Sequence, residues 1–143
     1  MRERTWILIA DRARGRILET GPDQPMTEVS CLTEPAARAA EAALTTHRPP
    51  TVNESVGMAR HSIEPHTPLR DKITARFARS LCDALEAGHS AGRFDQLVLV
   101  APPRFLGALH AELGKSLAAC VVREVRHDYT SLGMQDLRER LSI

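Results

Sequence analysis

The stretch Leu97-Val-Leu-Val-Ala-Pro-Pro-Arg-Phe-Leu-Gly107 decides the architecture. Leu97 to Val100 are large apolar residues in an unbroken run, the pattern of a strand covered on both faces. Pro102-Pro103 ends it, because proline cannot donate to a strand ladder yet suits the first turn of a helix. Leu106, Leu109, Leu113 and Leu117 then recur at spacings of three and four, which marks one buried helical face. Cys120-Val-Val-Arg-Glu-Val-Arg126 returns as a strand. Strand, helix and strand in this order form a crossover unit, so the two strands should be parallel with a right-handed connection.

Upstream, Thr67 and Pro68 open the clearest amphipathic helix, Thr67 as cap and Pro68 at the first helical position. Leu69, Ile73, Phe77, Leu81 and Leu85 recur every four residues, with Arg70, Asp71, Arg76, Arg79, Asp83 and Glu86 on the other side. Gly88 is the expected stop. Nearer the start, Thr5–Ala10 reads as a buried strand, Asp11–Gly15 as a turn, and Arg16–Thr20 as its antiparallel hairpin partner. Residues 21–25 break the chain before a more exposed strand, Thr27–Leu32. The Ala-rich run 34–44 suits a short helix with little bulk to dock, and Met134, Leu137 and Leu141 mark a last short helix. The order gives an α/β domain over residues 1–143: a mixed five-stranded sheet, made of a three-strand meander plus a parallel crossover, with helices on both faces. That is a ribonuclease H-like order.

Val52-Asn-Glu-Ser-Val-Gly-Met-Ala-Arg-His-Ser-Ile-Glu-Pro-His66 shows no sustained period. A long unpatterned segment in a compact domain is usually functional or disordered, so a long flexible loop is expected at about 45–66.

Composition narrows the function classes. With 19 Lys+Arg against 18 Asp+Glu, no global basic excess argues for nucleic acid, and any such binding must come from a local patch. Arginine dominates the basic set, which a GC-rich genome would also produce; Lys72 and Lys115 are the only lysines. Cys31, Cys82 and Cys120 are far apart among apolar neighbours, so buried reduced thiols are expected rather than a disulfide framework or a metal site. The apolar run near the start, Trp6 to Ala10, is shorter than the ~7–15 residues of a signal peptide's core. No stretch reaches the ~18 apolar residues of a membrane span. A cytoplasmic protein without a membrane partner is the expectation.

Several chemistries can be weighed. Two-metal hydrolysis needs convergent carboxylates, and Asp11, Glu19, Asp95 and Asp128 are the candidates. Arg104, however, stands where a ligand would be wanted after the second buried strand. His61 and His66 bracket Glu64, but Pro65 forbids the helical arrangement of a zinc protease. Neither metal nor cofactor is called for, and no catalytic residue is assigned, although a hydrolase using Asp11, His61 or His66 is a rival. The basic residues are more suggestive of anion or RNA binding. Arg12, Arg14 and Arg16 cluster at the first hairpin, Arg104 sits in the first turn of its helix, and Arg60, His61, His66, Arg70 and Lys72 mark the long loop and the helix after it. Aromatic stacking is not expected: Trp6 and Phe94 read as core, and Tyr129 stands alone. Asp128, Thr130 and Ser131 read as caps for the last helix.

WILIADRARGRIL, RHSIEPHTPLRDKITARFARSL, FDQLVLVAPPRFLGALHAEL and VVREVRHDYT together resemble the bacterial host attachment protein family. The resemblance covers nearly the whole chain, and the Leu97–Gly107 run is its most specific piece. The family is similar, more distantly, to the middle domain of archaeo-eukaryotic class-one peptide release factors, whose Gly-Gly-Gln loop precedes a long helix. Here the matching loop holds Ser55, Val56, Gly57 and Met58, with no Gly-Gly-Gln and no glutamine between Gln24 and Gln96. Release chemistry is therefore not expected. The resemblance implies a non-catalytic module that binds tRNA or the ribosome through the loop and the arginines. The alternative is a protein–protein regulatory adaptor that affects bacterial attachment to host cells.

Overall fold

A computed structural model describes residues 3–39 and 68–143. Its strands are β1 (Thr5–Ala10), β2 (Arg14–Gly21), β3 (Gln24–Thr33), β4 (Gln96–Val100) and β5 (Val121–Val125). The helices are α1 (Pro68–Ser90), α2 (Pro103–Glu112), α3 (Lys115–Cys120) and α4 (Met134–Leu141), and residues 35–39 are also helical. The sheet runs β3-β2-β1-β4-β5. β2 is antiparallel to both β1 and β3, while β1–β4 and β4–β5 are parallel. This is the ribonuclease H-like mixed sheet that the order of elements predicts.

Alternation along the two central strands divides the core. Trp6, Leu8 and Ala10 of β1, with Leu97 and Leu99 of β4, meet Phe77, Leu81, Leu85, Leu109 and Leu117 from α1, α2 and α3. Ile7, Ile9, Val98 and Val100 meet Leu137 and Leu141 of α4 on the opposite face. Neither strand has a wet face, which is why both read as continuous apolar runs. Each such side chain, fully buried, contributes about 1.5–3 kcal/mol of transfer free energy.

Four local expectations are corrected. The single helix expected after Pro103 is two: Leu113 and Gly114 are extended, and α3 then ends at Cys120, directly before β5. The bend turns the chain back toward the sheet while keeping Leu117 buried. Leu69 is 67% exposed, because α1 docks on the sheet only from Phe77 onward. Asp128, Thr130 and Ser131 do not cap α4, whose cap is Gly133. Gly88 is not a stop either. α1 continues to Ser90, and the left-handed residue that ends it is Gly92 (φ 72°), bracketed by an Arg93 N–H bond to the Gly88 carbonyl at 2.9 Å.

Gly88 instead gives room to Trp6. A Cβ there would lie 2.4 Å from the indole. The indole cannot easily retreat, because it stacks on Phe94 at 4.7 Å and donates from Nε1 to Glu19 at 3.1 Å. Gly88→Ala should therefore destabilise the fold by about 1–3 kcal/mol through overpacking. The helix-propensity gain of about 1 kcal/mol works against this loss. Urea unfolding measures the balance, and an unchanged or raised midpoint would show that Trp6 can give way.

Candidate anion-binding site

β1 and β4 are parallel neighbours, so their carboxyl ends open at the same edge of the sheet. From that edge the chain leaves β1 toward β2 on one side and β4 toward β5 on the other. Ligand crevices of open α/β sheets lie at such divergences. Here a cleft of about 690 Å³ is lined by Asp11 and Arg12 after β1, Pro102, Arg104, Phe105 and Ala108 after β4, Arg70, Asp71, Thr74 and Ala75 from the first turns of α1, and Asp128 after β5.

The local sequence makes the α2 end of the cleft rich in donors. Pro102 provides no side-chain cap, and the first turn of α2 holds no acidic residue. The first helical bond runs from the Leu106 N–H to the Pro102 carbonyl at 2.9 Å, which leaves the amides of Arg104 and Phe105 ahead of it. Uncapped amides at a helix start attract anions. Among the described residues the exposed Arg104 side chain makes no hydrogen bond or ion pair.

Carboxylates hold the opposite wall. Asp11 Oδ1 accepts from the amides of Ala13 and Arg14, both at 2.8 Å, which folds the β1–β2 turn. Asp128 Oδ1 accepts from the Thr130 amide at 3.0 Å and from its hydroxyl at 2.6 Å. Asp11 Oδ2 lies 3.3 Å from the same hydroxyl. That oxygen carries one proton, and the shorter contact assigns it to Asp128. Thr130, 4% exposed, thus sits where the segment after β5 meets the turn after β1, its hydroxyl bonded within its own segment.

The structure brings Arg12, Arg70 and Arg104 to one cleft. Arg16 goes elsewhere: it pairs with Glu28 at 3.0 Å and donates to the carbonyls of Thr130 (3.1 Å) and Leu132 (2.7 Å), a structural strut. Arg14, two residues along β2, shares that strand face and does not line the cleft. Ser55, Val56, Gly57, Met58, Arg60, His61 and His66 lie outside the described residues. The four carboxylates weighed for hydrolysis divide between the sheet's ends. Asp11 and Asp128 line the cleft, whereas Glu19 accepts from Trp6 and Arg93, and Asp95 from the Arg4 amide. Among the described residues no group of three or more His, Cys, Asp or Glu could hold a metal ion. Thr74 and Ala75 escaped the sequence reading because α1 shows its period only through the residues that meet the sheet.

Two further expectations change. Tyr129 does not stand alone: the His127 ring lies parallel to it (5.4 Å between centroids, 8° between planes), and Arg140 sits 5.6 Å over it. All three cysteines are free, but only Cys82 is buried; Cys31 is exposed and Cys120 half-buried beside His89 at 3.3 Å. Burial, then Glu112, Asp83 and Glu86, push the Cys82 thiol up to about 11. Burial, followed by Asp95 and Glu86, also raises that of Cys120.

Fold and cleft define an open-sheet α/β module of ribonuclease H-like architecture, with arginines gathered where its central strands diverge. The chain belongs to the family described as "Protein required for attachment to host cells", whose model matches residues 6–141. An uncharacterized protein of Rickettsia prowazekii (strain Madrid E) is 34% identical over 67 residues, which cover 46% of this chain and 45% of that relative. Among solved structures, an archaeal protein matches with a TM-score of 0.52 at 12% identity, over 96% of this chain and 32% of its own. An archaeal translation termination factor matches with a TM-score of 0.48 at 11% identity, over 97% of this chain and 38% of its own. This chain therefore spans less than half of each of these proteins. The first structural likeness concerns the fold alone. No helix among the described residues is long and apolar enough to cross a membrane.

Thr130→Val should lower stability by about 1–2 kcal/mol, since the Asp128 carboxylate loses its hydroxyl donor while shape is kept; chemical denaturation reads it, and an unchanged midpoint would show that this bond adds nothing to the fold. The thiols should differ in reactivity toward iodoacetamide near neutral pH, Cys31 first and Cys82 last, as mapped by peptide mass. For Cys82 the folded value lies above the ordinary 9.0, so its contribution to stability is complete below pH 9 and is lost as pH rises toward about 11. Rapid labelling of Cys82 in the folded protein at neutral pH would contradict this.

Proposed function

We propose that the cleft binds phosphate groups of RNA, tRNA or ribosomal RNA, and that the chain works as a non-catalytic binding module. The observation that carries this reading is that Arg12, Arg70 and Arg104 line one cleft, which also contains the uncapped start of α2. Guanidinium groups present planar forks that fit phosphate oxygens, and the helix start adds backbone donors. RNA as the source of the phosphates is supported by the distant similarity of the family to release-factor middle domains. Hydrolysis is not part of the reading, because the chain contains no Gly-Gly-Gln.

With a formal net charge of +1, attraction must come from this patch and should be sensitive to salt. Arg104→Ala is expected to weaken tRNA binding by roughly five- to tenfold near 0.1 M salt and to reduce the log–log salt slope by about one. Arg79→Ala should change neither, since Arg79 pairs with Glu112 away from the cleft at 3.2 Å. Filter binding over a salt series reads both variants. An unaltered Arg104→Ala profile would remove the cleft as the site. Absence of binding by the parent chain to tRNA and to ribosomes would remove RNA itself, and protein partners recovered after nuclease treatment would then favour the adaptor reading.

A further inference from the structure

We propose that an unpaired nucleobase stacks on the His127–Tyr129 pair, so that the RNA held at the cleft is single-stranded there. The inference rests on the RNA reading above and adds the kind of RNA the site accepts. The pair is built as a platform. Tyr129 is half-buried and packs against the core layer that contains Leu137 and Leu141, which fixes its ring. His127 is exposed, and its ring lies nearly parallel to that of Tyr129, 8° apart. Arg140, reaching from α4, places its guanidinium 5.6 Å from the tyrosine centroid. These are the parts of a sequence-tolerant base contact: a flat exposed ring with a firm backing and a cation at hand.

Its position links it to the cleft. Asp128 stands between the two rings in the chain and lines the cleft, and its carboxylate holds the Thr130 amide and hydroxyl at 3.0 and 2.6 Å. Those bonds fix the local turn that carries the rings, and Arg16 holds it against β2 by donating to the carbonyls of Thr130 and Leu132 at 3.1 and 2.7 Å. A duplex keeps its bases stacked on one another and offers no face to such a platform, whereas a loop or a strand end does.

The test compares short oligo(A) with an abasic ribose–phosphate strand of equal length, which carries the same charge without bases. The parent chain should prefer oligo(A) by at least about fivefold. His127→Ala should abolish that preference, His127→Phe should keep it, and Arg104→Ala should weaken both strands alike. Tyr129 is the only tyrosine in the chain, so its ring signals in an NMR spectrum should move upfield with oligo(A) and not with the abasic strand. Equal binding of the two strands by the parent chain, with Arg104→Ala still weakening both, would overturn the stack and leave the phosphate site standing. Failure of both strands to bind would overturn the stack and the phosphate site together.

Discussion

The parallel pairing of β1 with β4, buried on both faces, is the constraint from which the rest of the molecule follows. The strands match residue for residue from Thr5↔Gln96 to Ile9↔Val100. Their side chains supply alternate members of two separate core layers. A slip of one residue would exchange the layers, sending Trp6 away from the room that Gly88 leaves for it. Register, strand direction and the packing of both helical layers are thus one decision.

That decision also sets the chemistry. With the strands in register, Asp11 and Pro102 follow their carboxyl ends at the same edge of the sheet. Asp11 turns the chain back through its own side chain, and Pro102-Pro103 starts a helix that has no side-chain cap. A carboxylate committed to its turn and a helix start rich in free amides therefore face one cleft. Of the four acids weighed for hydrolysis, Glu19 and Asp95 belong to the other end of the sheet. The topology also gathers Arg12, Arg70 and Arg104 at this edge.

Much of this was legible in the sequence. Apolar runs bounded by Asp11 and by Pro102 identify the central strands, and the four-residue period of α1 is plain from Phe77 to Leu85. What misled was information that the third dimension adds. Gly88 looks like a helix stop until Trp6 is seen against it. Leu113 keeps the spacing of a continuous helix while its backbone is extended. Arg16 looks like one more surface cation, yet three acceptors use it. At the site, Arg12, Arg70 and Arg104 could be singled out by residue type, because helix starts and turns after strands are readable positions. The partnership of His127, Tyr129 and Arg140 could not, since Arg140 comes from a separate element and no period connects it to the others.

The balance of charge around the cleft bears on what kind of ligand it suits. Asp11, Asp71 and Asp128 line it along with the three arginines, so it is not a uniformly positive bowl. A bare anion placed centrally would feel both signs and gain little, because opposite contributions at similar distances nearly cancel. A ligand that is anionic at one end and carries hydrogen-bond donors at the other has no such conflict. Its phosphate can meet Arg104 and the amides at the start of α2, while hydroxyl or amino groups meet the carboxylate side near Thr130. A ribonucleotide has this polarity built in, with phosphate oxygens as acceptors and the 2′-hydroxyl as a donor. Under the proposed RNA reading, such a distribution of charge suits a nucleotide unit better than free phosphate, and it requires no excess of positive charge over the chain as a whole.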